Sequence, residues 1–143
     1  METKEVISKI RKALEEAAKG NTDLLDGIHD PDIVYHLYPF PDLKGLKTEK
    51  LARVDAWKGF SGMHTDWEEV ISEGATIVVR YTVHVKHTGV NPQYPIPPSG
   101  KEVVLKGCFV AHQKNGKSVE VFEYDDWLGF LQQLGVVSLP GQK

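Results

Sequence analysis

The sequence predicts a single α+β domain in which helices cover one face of a curved antiparallel sheet. Three observations carry that expectation. Apolar residues recur at helical spacing through the first part of the chain. From Trp67 onward the pattern alternates with a period of two, as in half-buried strands. Asn115-Gly116 then joins two such runs and marks a two-residue hairpin. Helices first and a meander of strands afterwards is the element order of an α+β fold rather than of alternating α/β units.

Thr3 is positioned to cap a helix over about Lys4 to Lys19, whose Val6, Ile7, Ile10, Ala13, Leu14 and Ala17 share one face. Glu5/Lys9 and Glu15/Lys19 pair along its wet side, and Gly20-Asn21 ends it. A short helical turn over Asp23 to Gly27 leads to Asp30-Pro31-Asp32, a turn signal. Ile33 to Tyr38 reads as a strand, Pro39, Pro41 and Gly45 as a loop, and Leu46 to Phe60 as a second long helix. Trp67 to Ser72 is a short strand closed by Glu73-Gly74. Ala75 to His87 is a long strand, with Ile77, Val79, Tyr81, Val83 and Val85 on one side and Val78, Arg80, Thr82, His84 and Lys86 on the other. The Pro- and Gly-rich residues 88–100 form a connection long enough to suggest a functional loop. Glu102 to Gln113 and Ser118 to Asp126 are the hairpin strands, and Trp127 to Leu134 is a short apolar helix.

With 143 residues, 41% apolar and 26% charged, the chain is long enough and apolar enough for one core. A net charge of −3 without a basic run excludes nucleic acid as the main partner. A single cysteine, Cys108, excludes a disulfide framework and a cysteine-based zinc site. No apolar run reaches the length of a membrane span, and the N-terminus is charged. No membrane partner and a cytoplasmic location are therefore expected.

The hairpin decides which residues face the core. A regular two-residue turn pairs Lys114 with Lys117, Phe109 with Phe122, Gly107 with Tyr124 and Leu105 with Asp126. Asp125 and Asp126 then point to opposite faces, and Asp126 sits among Leu105, Phe109, Phe122 and Tyr124. A carboxyl desolvated there has a raised pKa and can act as a general acid or base. Tyr81 and His87 share the pocket-side parity of Val85. Trp57 belongs first to the core and stands among the substrate-binding candidates; Trp67, Trp127 and Tyr94 are candidates for the rim. Val78, Val110, Val119 and Val121, with Thr82 and His84, fall on the outer face, a mixed apolar surface that predicts a homodimer. His84 and His87 face opposite ways, and no histidine pair has metal-ligand spacing along the chain, so no metal site is expected.

Several ordered pieces resemble one family: Pro31-Asp32-Ile33-Val34-Tyr35-His36, Glu73-Gly74 before Val78-Val79-Arg80-Tyr81-Thr82, His87-Thr88-Gly89, Ile96-Pro97-Pro98-Ser99-Gly100-Lys101, and Asp126 followed by Leu128-Gly129-Phe130-Leu131-Gln132-Gln133-Leu134-Gly135. Together they are similar to the SnoaL-like polyketide cyclases, over about residues 6 to 135. The resemblance implies a nuclear-transport-factor-2-like cone enclosing a pocket. It also implies aldol-type ring closure with no metal and no cofactor, with an aspartate at the end of the last strand as general acid/base. That role falls on Asp126, and an assisting pocket histidine on His36. The chain departs from the pattern where Asp125-Asp126 replaces Trp-Asp and Phe122 stands where a Trp is usual. The expected function is a cofactor-free cyclase or isomerase acting on a small apolar carbonyl compound. The competing readings are a dehydratase- or hydrolase-like enzyme using the same pocket, and a non-catalytic small-molecule-binding or dimerising domain on the same scaffold.

Overall fold

The computed structural model describes residues 3–93 and 95–141, so Tyr94 lies outside the described residues. Helix α1, Thr3–Ala18, buries Ile10, Ala13 and Ala17, the inner members of its predicted apolar face. A 3-10 turn, Asp23–Gly27, follows. Strand β1 is His29–Tyr38, β2 the short Leu43–Lys44, and α2 Leu46–Ala56. Strands β3 (Phe60–Glu73), β4 (Thr76–His87), β5 (Glu102–Lys114) and β6 (Lys117–Asp125) form the meander, and α3 (Trp127–Gln133) closes the chain.

The six strands lie in the order β2-β1-β6-β5-β4-β3. The sheet is an open α+β cone wall, as expected, with one difference. β1 runs parallel to β6, and the other pairs are antiparallel. Ile33, Tyr35, Ile77, Val79, Tyr81, Val83, Val85, Val103, Leu105, Phe109, Ala111 and Val121 turn inward from the strands and are buried, with Ala13, Ala17 and Phe130 among the helical residues that cover them.

Three boundaries moved for local reasons. Helix α2 stops at Ala56 rather than Phe60. Gly59 has φ 90°, and its backbone passes so close to the next loop that a Cβ would lie 2.9 Å from Asn91 N. β3 begins at Phe60 rather than Trp67. It is the sheet edge, and Ser61, His64 and Asp66 hide the strand period because an edge carries polar residues. Asp30-Pro31-Asp32 keeps its turn chemistry, with Asp32 N donating to Asp30 Oδ1 at 2.8 Å, yet it forms the irregular start of β1, where pairing with β6 shifts between His29 and Val34.

The hairpin turn is as expected: Asn115 and Gly116 have φ of 53° and 80°, and Lys114 faces Lys117. The register then slips. Gln113 pairs with Ser118 but His112 pairs with Glu120, so Val119 is an extra residue in a β-bulge. Ser118 is turned inside and held there, receiving a bond from Gln113 Nε2 at 2.5 Å and donating its N–H to Ile28 O at 2.8 Å. From that point each β6 side chain is on the face opposite to the one predicted. Val121, assigned to the outer surface, is 2% exposed and part of the core.

Candidate active site

The slip decides which carboxylate enters the cavity. Gly107 faces Asp125 rather than Tyr124, and Phe109 faces Glu123. Asp126, expected in the pocket, instead caps α3, with Gly129 N donating to its Oδ1 at 2.9 Å. Phe122 and Tyr124 turn outward with it to the far face. There Phe122 stacks on His36 with ring centroids 4.4 Å apart, and Tyr124 on Tyr38 at 5.1 Å. His36 is thus on the outer face, between Glu120 Oε2 at 2.8 Å and Asp42 Oδ1 at 2.9 Å. The hydrogen bond to Glu120 and the nearby Asp42 hold its pKa above the ordinary imidazole value, against the opposing effect of burial. His87 keeps its inward parity but packs under the 88–100 connection: it stacks on Phe60 and meets Ser99 Oγ at 3.0 Å. It does not line the cavity described next.

The cavity lies between the sheet and helices α1 and α2, in two lobes of about 110 and 90 Å³. Tyr35, Arg53, Trp57, Leu105, Glu123 and Asp125 border both. Tyr81, Phe109, Trp67 and Met63 wall the larger lobe, and Trp127 the smaller. Of the predicted substrate-binding residues, Trp57, Tyr81, Leu105 and Phe109 are therefore in the cavity wall.

Its polar residues form one connected group. The Tyr81 hydroxyl donates to Asp125 Oδ1 and the Tyr35 hydroxyl to Glu123 Oε1. Gly107 makes this possible: a Cβ there would collide with the Asp125 carboxylate and lie 2.7 Å from the Tyr81 hydroxyl. Arg53 stands 5.2 Å from the Tyr35 ring centroid, and its Nε donates to Glu49 Oε2 at 2.6 Å. Glu49 is itself buried, and its other oxygen meets His29 Nδ1 at 2.7 Å. Burial pushes the Glu49 carboxyl up, but Arg53 and the His29 hydrogen bond hold it below its ordinary value. Glu49 therefore keeps the Arg53 cation in place from beneath.

Burial pushes the Asp125 carboxyl up to about 10, reinforced by the charge and hydrogen bond of Glu123 and opposed by Tyr81 and Arg53. The charge of Glu123 beside it adds to the cost of ionising Asp125, so the proton is held more tightly than on an ordinary carboxyl. Asp125 Oδ2 is buried and has no partner among the described residues, and neither has Trp127 Nε1. Both tyrosines are held above their ordinary values, chiefly by burial and the neighbouring carboxylates, and so remain donors. A neutral carboxylic acid, a carboxylate and two phenols in an apolar hollow can deliver one proton and accept another on the same small molecule.

Sequence reasoning missed Asp125, Glu123, Tyr35 and Arg53. One signal was available: Val121, Glu123 and Asp125 share a parity, so an inward apolar strand face runs into two acids, opposite a glycine.

A family model described as SnoaL-like polyketide cyclase matches residues 8–134. TsrD from Streptomyces laurentii has the same fold, with a TM-score of 0.80 at 18% identity, over 96% of this chain and 99% of that one. A candidate SnoaL-like polyketide cyclase from Jannaschia sp. CCS1 gives 0.78 at 16% identity, over 93% of each chain. An LEH-like epoxide hydrolase from M. tuberculosis gives 0.69 at 17% identity, over 94% of this chain and 92% of that one. At these identities the likeness is one of fold. No curated protein sequence matches the chain significantly. Among the described residues no helix is long and apolar enough to cross a membrane.

Proposed function

The chain belongs to the SnoaL-like polyketide cyclase family, and from that premise we propose that it is a cofactor-free acid/base enzyme. The reaction is an aldol-type cyclisation or isomerisation of a small, largely apolar molecule carrying a carbonyl group. One observation carries the reading: the Asp125 carboxyl stands in the cavity wall with one buried oxygen unpartnered, and burial pushes its pKa up. Such an oxygen suits a ligand better than a finished core.

In this reading Asp125 gives its proton to the substrate carbonyl oxygen as electron density moves onto it. Glu123, beside Asp125, takes a proton from the acidic carbon next to the carbonyl. The enol either attacks a second carbonyl in the same molecule or is reprotonated at another carbon, and the pair regains its starting protonation. Tyr81, which donates to Asp125, and the Arg53 cation stabilise the negative charge as it passes from Glu123 to Asp125. Trp57, Trp67, Leu105 and Phe109 exclude water and bind the apolar body of the substrate.

The test is solvent deuterium exchange at the carbon next to the carbonyl, followed by NMR in D2O over a panel of small cyclic and aryl ketones. The wild type should exchange at least one of them. Asp125→Asn should slow that exchange by on the order of a hundredfold or more, whereas Asp126→Asn should leave it nearly unchanged. Equal rates in wild type and Asp125→Asn, or loss with Asp126→Asn, would sink the assignment. Saturable binding of the same ketones without exchange would favour the non-catalytic binding domain.

A second reading has one observation behind it. In the cavity wall Asp125, its pKa pushed up by burial, is beside Glu123, and a protein of the same fold is an LEH-like epoxide hydrolase. Asp125 would protonate an epoxide oxygen while Glu123 takes a proton from the attacking water. Incorporation of 18O from water into a diol product separates this from the first reading. In either case we propose a cytoplasmic homodimer that associates through the outer sheet face, where Tyr124 is 55% and Ile71 53% exposed.

A further inference from the structure

Along the chain no histidine pair had metal-ligand spacing, but strand pairing creates one. His64 on β3 is directly opposite His84 on β4, and Asp66 follows two residues later on the same outer face. The imidazole rings are stacked, with centroids 4.3 Å apart and planes within 5° of parallel. His84 Nε2 meets Asp66 Oδ2 at 3.0 Å. One ligand atom from each of the three residues lies within 4.8 Å of the other two.

We propose that His64, Asp66 and His84 form a binding site for a borderline divalent transition cation, of which Zn2+ is the probe. Two imidazoles and one carboxylate suit this class, whereas calcium and magnesium prefer sites made wholly of oxygen. Metal–nitrogen bonds of about 2.0–2.1 Å place tetrahedral ligand atoms roughly 3.3 Å apart. Closing the observed spread to that value requires the surface-facing side chains to turn about their side-chain torsions. Three protein ligands leave the remaining positions to water, so the site is open. It is separate from the cavity, which holds no histidine in its walls.

The position gives the cation something to act on. β3 is the sheet edge. Its alternation puts His64 and Asp66 outside and Met63, Thr65 and Trp67 in the wall of the larger lobe. A cation bridging β3 to β4 ties down the edge strand whose inner face borders the cavity.

The experiment is calorimetric titration of tag-free protein with Zn2+, paired with thermal melting and Trp67 fluorescence. The wild type should bind saturably and melt at a higher temperature as Zn2+ rises, by mass action on the folded state. His84→Ala should weaken binding by on the order of a hundredfold, since it removes one of three direct ligands. His64→Ala should act similarly. The melting temperature without metal should stay near wild type in both, because the substituted side chains are at the surface. His64→Gln/His84→Gln keeps the polar surface and provides a second pair of substitutions. No binding by wild type at roughly tenfold molar excess of Zn2+, or undiminished affinity in the histidine variants, would overturn the proposal.

Discussion

At the scale of single residues, the site depends on Asp125, a carboxyl whose pKa burial pushes up. The folded pKa of Asp125 is raised, so the native chain binds a proton that the unfolded chain releases above about pH 4. Stability therefore falls as pH rises from there toward about 10. Asparagine mimics the neutral form: its carbonyl can accept from Tyr81 and its amide can donate to Glu123. Asp125→Asn should be more stable than wild type by on the order of 1–2 kcal/mol at pH 8, and its stability should vary less with pH in urea titrations. Gly107→Ala should do the reverse. It should displace the Asp125 carboxyl or the Tyr81 ring, cost roughly 1–3 kcal/mol by overpacking, and reduce exchange activity. That a carboxyl group meets an apolar hollow at the end of the last strand was legible in the sequence; which of Asp125 and Asp126 enters the cavity was not. One unpaired residue, Val119, reverses that choice, and bulge formation depends on the tertiary partners of Ser118.

Single elements show the same division between local and tertiary causes. The apolar face of α1, the 3-10 turn and the Asn-Gly hairpin follow from spacing and turn chemistry, and formed where these indicate. The polar half of β3 and the role of α2 did not follow, because both depend on neighbours. On α2 the apolar Leu51 and Val54 face outward, and the i,i+4 pair Glu49 and Arg53 supplies the cation at the cavity. Glu49→Ala should leave Arg53 and His29 without their shared anion and cost on the order of 3 kcal/mol. The folded pKa of Glu49 is lowered, so its contribution is present above the unfolded carboxylate value and is lost as acid is added below about pH 4. Wild-type stability should decline there, and the decline should be smaller in Glu49→Gln. Asp126→Ala should cost about 1 kcal/mol through loss of the α3 cap, without the hundredfold loss of exchange expected for Asp125→Asn.

For the whole molecule, the cone and its pocket were legible because element order restricts topology. The outer face was legible only in part, since the bulge exchanged Val121 for Phe122 and Tyr124 there. The resulting surface carries the stacks His36–Phe122 and Tyr38–Tyr124. If it is the dimer face, light scattering at micromolar concentration should give twice the 16.0 kDa chain mass, and Tyr124→Asp should return it to one.

The parallel β1–β6 pair sets the order in which the protein can be completed during synthesis. β1 is among the first elements made, but its long neighbour in the sheet is the last strand, so Tyr35 and Glu123 meet across 88 positions of chain. Until β6 has left the ribosome, the nascent domain has the β3–β5 meander, two helices and a β1 paired only with the short β2, and its hollow lacks Glu123 and Asp125. Such a long-range closure should be the slow step of refolding. Stopped-flow measurements on Val121→Ala should then show slower folding with little change in the unfolding rate. A change confined to unfolding would mean that the β1–β6 seam closes only after the barrier.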